Sequence, residues 1–162
     1  MRKILITFTL LLITCCCTMA QVKSVQADFT QTKTMKMLGD KMVSKGKMSY
    51  TQGKLHWEYT QPHQMSLDIS GQKATMTMNG QKKVMDMNGN NIFKEIGKVM
   101  ASSVAMKGKG QRELPLTKEM KALYTKVVVF YNAKTSWPER VMMYEKEGDT
   151  TEIRLTNVKV RN

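Results

Sequence analysis

The stretch Lys47-Met48-Ser49-Tyr50-Thr51-Gln52-Gly53-Lys54-Leu55-His56-Trp57-Glu58-Tyr59 decides the fold. Apolar and polar residues alternate on either side of Gln52-Gly53, and a period of two belongs to a strand with one buried face. Gln52-Gly53 is a two-residue hairpin signal. A turn there pairs Tyr50 with Leu55 and Met48 with Trp57, so Met48, Tyr50, Leu55, Trp57 and Tyr59 share one face.

The same rhythm runs outward. Beyond Pro62, Met65, Leu67 and Ile69 alternate with Gln64, Ser66 and Asp68, and Ser70-Gly71 turns the chain. Ala74, Met76 and Met78 follow, Asn79-Gly80 is a second hairpin signal, and the return strand places Met85 and Met87 on the same face. Upstream, Ser24 to Met37 reads as extended, with Phe29 and Met35 as candidates for burial. The expectation is a meander of antiparallel strands with one apolar face.

The period then changes. Ile92, Phe93, Ile96, Val99, Met100 and Val104 recur at helical intervals and predict an amphipathic helix capped by Asn90 or Asn91. Lys107 to Gln111 reads as a loop, and Thr117 caps a short helix to about Leu123. Three strands close the chain: Val127–Tyr131, apolar on both faces and therefore expected to be central, then Arg140–Lys146 and Glu152–Val160 around a Glu147-Gly148-Asp149 turn.

The first twenty residues bear on compartment. Arg2-Lys3, the uncharged Ile4 to Ile13 and the small residues of Thr18-Met19-Ala20 make residues 1–20 a secretory signal peptide by pattern. All three cysteines, Cys15, Cys16 and Cys17, lie inside it, and the residues before them fit a lipoprotein signal poorly. Cleavage after Ala20 leaves 142 residues, 21–162, as one domain without cysteine, hence without disulfide or thiolate metal site.

Without Arg2 and Lys3, 24 basic residues face 13 acidic ones. The lysines are scattered along strands rather than interleaved with aromatics, which argues against nucleic acid. An anionic envelope surface, an acidic partner or a merely solvated basic face accounts for them equally well. Fourteen methionines remain after Met1 and Met19 are removed. Methionine suits a surface that adapts to varied apolar partners, and it also substitutes for leucine in an ordinary core. Chemistry has little to work with. His56 and His63 are the only histidines, no acidic cluster completes a metal site, and no glycine-rich phosphate loop leads from a strand into a helix. An enzyme, a cofactor and a bound metal are not expected; an apolar face partly covered by a helix suggests ligand holding.

Several segments in order resemble the family of the outer-membrane lipoprotein carrier protein LolA. They are the Phe-x-Gln of Ala27-Asp28-Phe29-Thr30-Gln31, Ser44-Lys45-Gly46-Lys47-Met48, the Trp-x-Tyr-x-x-Pro of Leu55 to Pro62, Ile69-Ser70-Gly71-Gln72-Lys73, and the last hairpin from Glu139 to Val158. The resemblance spans nearly all of residues 21–162. It implies a mainly β (α+β) fold, an incomplete antiparallel β-barrel with a helical lid over its open mouth. It further implies a monomeric periplasmic chaperone that takes acylated lipoproteins from an inner-membrane release complex to an outer-membrane acceptor. An envelope lipid sensor, or an anchored lipoprotein receptor should Cys15, Cys16 or Cys17 be lipidated, is the alternative of the same fold. By position, the resemblance places Met48, Tyr50, Leu55, Trp57, Met65, Leu67, Met76, Met78 and Met85 in the ligand cavity, and Ile92, Phe93, Ile96, Val99 and Met100 on the lid. Two departures stand out: Thr51-Gln52-Gly53 replaces the family's Arg-Pro before the Trp-x-Tyr strand, and the segment from Ala105 to Leu116 is shorter by about a hairpin.

Overall fold

A computed structural model describes residues 24–71, 73–86, 103–104 and 106–161. They form one ten-stranded antiparallel sheet: β1 (Ser24–Met35), β2 (Asp40–Thr51), β3 (Lys54–Gln61), β4 (Met65–Ser70), β5 (Lys73–Met78), β6 (Gln81–Asp86), β7 (Gln111–Glu113), β8 (Tyr124–Tyr131), β9 (Pro138–Glu145) and β10 (Thr150–Arg161). One short helix, α1 (Lys118–Leu123), enters β8 directly. The strand order is β6-β5-β4-β3-β2-β1-β10-β9-β8-β7, with β6 and β7 as unjoined edges. The sheet is therefore an open barrel.

Local turn chemistry sets the hairpins of the first half. Gln52 and Gly53 both take positive φ (48° and 81°), as do Asn79 and Gly80 (50° and 76°), the backbone signature of the two-residue turn whose twist matches the strands. Tyr50 faces Leu55 and Met48 faces Trp57, as the pattern requires. At α1 the Thr117 side chain accepts from the Met120 N–H at 3.3 Å, capping one orphan helix donor. The helix drives Met120 fully out of solvent.

The structure departs from the sequence reading in three places. Gln111–Glu113 is a strand on β8, not the end of a loop. That three-residue strand is the sheet edge, so β8 is next to last rather than central, although Val127, Val128 and Val129 are all buried. The first strand stops at Met35, and Met37 sits in the following turn. The expected lid residues Ile92, Phe93, Ile96, Val99 and Met100 lie outside the described residues, as does Met87. Residues 103–104 are helical, and Val104 is buried in the core.

Curvature is what turns the sheet into a container. Trp57 of β3 and Met143 of β9 are four strands apart along the ladder, about 19 Å in a flat sheet at 4.8 Å per strand. Both nonetheless belong to one buried cluster with Phe29, Val127, Val141 and Ile153, which requires the sheet to curl onto itself. Two bulges bend the strands at the centre of that curl. In β10, Asn157 takes a left-handed φ of 52° and its side-chain amide donates to Asp28 Oδ2 at 2.7 Å, beside the register shift between Gln26 and Asp28. In β3 the extra residue is Thr60, unpaired opposite the step from Lys45 to Gly46, and its hydroxyl donates to the Lys45 carbonyl at 3.2 Å.

Gly46 shows how tightly this region closes. A Cβ there would overlap the Glu58 carbonyl and approach Phe29 Cζ to 2.7 Å. No rotamer relieves a clash with backbone, so only glycine fits without moving β3 away. Gly46→Ala is expected to lower the unfolding free energy by about 2–4 kcal/mol. Gly53→Ala, whose Cβ enters open space at φ +81°, costs about 1–2 kcal/mol through backbone strain alone. Urea titration of both variants checks this, and equal losses would show that crowding is not what fixes position 46.

Candidate functional site: an apolar cavity with a polar end

Inside the curl lies a cavity of about 300 Å³, at the lower end of the range of about 300–1,000 Å³ usual for small-molecule sites. Leu55, Trp57 and Tyr59 of β3, Met65, Leu67 and Ile69 of β4, and Met76 of β5 form one wall; Met143 and Ile153 form the other. Gln31, Lys33, Tyr124, Glu145 and Thr151 complete the lining. The walls come from hairpins in which Trp57 faces Leu67 and Leu67 faces Met76 across the ladders, so alternation alone places these side chains together.

An aromatic cluster forms the floor. Phe29 stacks on Trp57 with centroids 4.2 Å apart and meets Tyr59 edge-on at 5.2 Å, the offset and edge geometries that aromatic quadrupoles favour. Tyr59 donates its hydroxyl to Gln31 Oε1 at 2.9 Å. Burial raises the Tyr59 pKa above its usual value, because the charged phenolate would lose its water.

The polar end is built around Lys33. Its ammonium donates to Glu145 Oε2 at 3.1 Å and lies 3.7 Å from Asp149 Oδ2, while Thr151 donates to Glu145 Oε1 at 3.3 Å. The Glu145 hydrogen bond, opposed by desolvation, holds the Lys33 pKa above its ordinary value. Burial, reinforced by the Glu145 charge, raises that of Tyr124. Glu145 is thus an inward, paired carboxylate. Elsewhere His56 contacts Asp68 across β3 and β4 on the exposed side, and no metal-holding group of three His, Cys, Asp or Glu occurs among the described residues.

The expected cavity residues divide. Leu55, Trp57, Met65, Leu67 and Met76 surround the cavity. Met48 is buried in the core and Tyr50 packs against it, outside the cavity lining. Met85 is half-buried beside Ala74, and Met78 is 50% exposed near the end of its hairpin. Tyr59 and Ile69 continue the alternation already visible in their strands, so the sequence carried a signal for them. Lys33 and Glu145 carried none, since polar residues on an inward face interrupt the pattern.

The family model described as outer membrane lipoprotein carrier protein LolA matches residues 20–162. The chain belongs to the LolA family. Among solved structures, a LolA superfamily protein from Nitrosomonas europaea shares the fold with TM-score 0.51 at 10% identity, over 86% of this chain and 87% of that one. The lipoprotein LppX of Mycobacterium tuberculosis matches with TM-score 0.45 at 8% identity, over 85% and 86%. A DUF1329 family protein from Desulfovibrio piger matches with TM-score 0.45 at 10% identity, over 86% of each chain. The fold likeness rests on the first of these. No curated protein matches the sequence.

The polar end predicts alkaline sensitivity. Lys33 has a folded pKa above its unfolded value near 10.5, so its contribution to stability is complete below that value and disappears as pH rises through the folded one. Tyr59 and Tyr124 act in the same direction, because the unfolded chain releases their protons first, from about pH 10 upward. Stability is expected to fall above about pH 10, and Lys33→Met to fall less steeply. Chemical denaturation between neutral and strongly alkaline pH tests this; identical slopes in the two proteins would deny Lys33 a part.

Proposed function

We propose that this chain is a periplasmic chaperone that holds acyl chains of lipoproteins in its cavity and carries them from the inner to the outer membrane. The observation that carries the reading is the cavity itself: an apolar channel between two halves of one curled sheet, in a chain of the lipoprotein-carrier family. The proposed acyl path runs along Leu55, Trp57, Met65, Leu67 and Met76, with Met48, Tyr50, Met78 and Met85 extending or supporting that wall. Ile92, Phe93, Ile96, Val99 and Met100 are the proposed lid. Residues 1–20 serve as a cleaved export signal in this reading, and a monomer exchanges cargo between an inner-membrane release complex and an outer-membrane acceptor.

Energetics suit a carrier. Burying about seven methylenes at about 0.8 kcal/mol each contributes about 6 kcal/mol gross, enough to retain a chain together with other contacts and small enough to release it. The half-buried Met65 and Met76 give that wall unbranched, adaptable side chains. Nothing in the polar end pairs a nucleophile with a free base: Glu145 is occupied by Lys33 and Thr151.

Trp57 is a poor target for testing this, because it is 5% exposed and stacked on Phe29; its truncation would cost about 3–5 kcal/mol of fold. Leu67 is half-buried in the wall. Leu67→Gln is expected to weaken binding of a fluorescent acyl probe about tenfold with its unfolding transition retained. Native mass spectrometry of protein recovered gently from the envelope should show a bound acylated lipoprotein. A free lipid would instead favour an envelope lipid sensor, and an apo mass with no probe binding would remove the carrier reading.

A further inference from the structure

We propose that the tip of the β1–β2 hairpin docks on a membrane surface rich in anionic phospholipid. Lys36 to Gly39 form the turn between β1 and β2. Met37 is 90% exposed and Leu38 74%, and Met42 and Val43, just inside β2, are 55% and 49% exposed. Four large apolar side chains at one projecting tip are more than the scattered exposure of an ordinary surface.

The shape and charge choose the occupant. A hairpin tip is convex, and a protein partner would have to supply a pocket for it, whereas a bilayer interface accepts an apolar projection anywhere on its surface. Lys36 and Lys41 flank the apolar pair and Lys45 follows along β2, all exposed, with Asp40 as the one acidic residue of the segment. Lysines behind an apolar tip reach lipid phosphates while the tip enters the headgroup boundary. The acidic groups nearby belong to the end of β9 and the β9–β10 turn. Of these, Asp149 accepts from the Lys36 backbone N–H at 3.0 Å and lies beside Lys33, and Glu145 is paired with Lys33; Glu147 remains exposed, next to Lys146. These contacts also brace the hairpin, so the tip is presented on a fixed support.

The tip is continuous with the cavity. Met42 faces Lys33 across the β1–β2 ladder, and Lys33 lines the polar end of the cavity. Docking at the tip therefore turns that end of the cavity toward the lipid. The contact itself does not depend on what the cavity holds, and empty protein suffices to test it.

The experiment is co-sedimentation of protein recovered after export, its leader processed by the exporting cell, with vesicles of equimolar phosphatidylcholine and phosphatidylglycerol. A Met37→Asp/Leu38→Asp variant is expected to partition about tenfold less than the parent. A Lys82→Glu/Lys83→Glu variant, altered on the distant β6 edge, is expected to lose less than the tip variant. All four side chains are exposed, so unchanged thermal midpoints should certify folding. As a second readout, an environment-sensitive dye on Leu38→Cys should shift to the blue when vesicles are added. Equal partition of tip variant and parent, or no binding of the parent to these vesicles, overturns the proposal; the latter result would leave a protein partner as the occupant.

Discussion

The contact between Phe29 and Trp57 holds the two sides of the container in register. Phe29 belongs to β1, at the middle of the ladder, and Trp57 to β3, and their stacking is possible only because β2 between them has no side chain at Gly46. The Phe29 ring occupies the space a Cβ would need. The facing strand β3 bulges beside this point, at Thr60, and the sheet bends over the ring instead of passing flat beneath it. Tyr59 completes the arrangement by meeting Phe29 edge-on and tying its hydroxyl to Gln31. The Phe-x-Gln of the first strand and the Trp-x-Tyr of the third, separate signatures along the chain, are thus one interlocked object in space.

From that object the cavity follows with little further specification. Strands β3 to β5 extend one wall by simple hairpins, and β10, β9 and β8 extend the other. The walls approach each other because both are anchored at the same bend. A flat sheet with identical side chains would have an apolar face and no interior. The polar end owes its position to the same geometry: Lys33 lies four residues beyond Phe29 on β1, and Glu145 reaches it from the end of β9.

Local features of this architecture were legible in the sequence and long-range ones were not. Gln52-Gly53 and Asn79-Gly80 fixed two hairpins, because a turn needing positive φ at both positions leaves few alternatives for register. Thr117 marked a helix start for an equally local reason. By contrast, nothing in β1 announces that it pairs with β10, more than a hundred residues away. The side chains on either strand suit any neighbour with a compatible face. The Lys33–Glu145 pair depends on that pairing and on β9 beyond it, so it could not be read. A central place for β8, which its apolar run suggests, fails for a related reason: continuous apolar character reports burial on both faces, and a strand beside a short edge can be buried as fully as a central one. A short edge strand, β7, satisfies part of its backbone without contributing pattern of its own.

Among the described residues the unclosed sheet ends in two edges, each a template for another strand. On the β7 side the template is only three residues long, too little for stable addition. On the β6 side the six-residue edge carries exposed Lys82 and Lys83 beside an exposed Val84. Two copies approaching edge to edge along β6 must bring four ammonium groups together, and like charges facing across a ladder are unfavourable. Charge thus does for this fold what ring closure does for a complete barrel. Part of the chain's basic excess sits where it opposes the stacking of open sheets into a fibre.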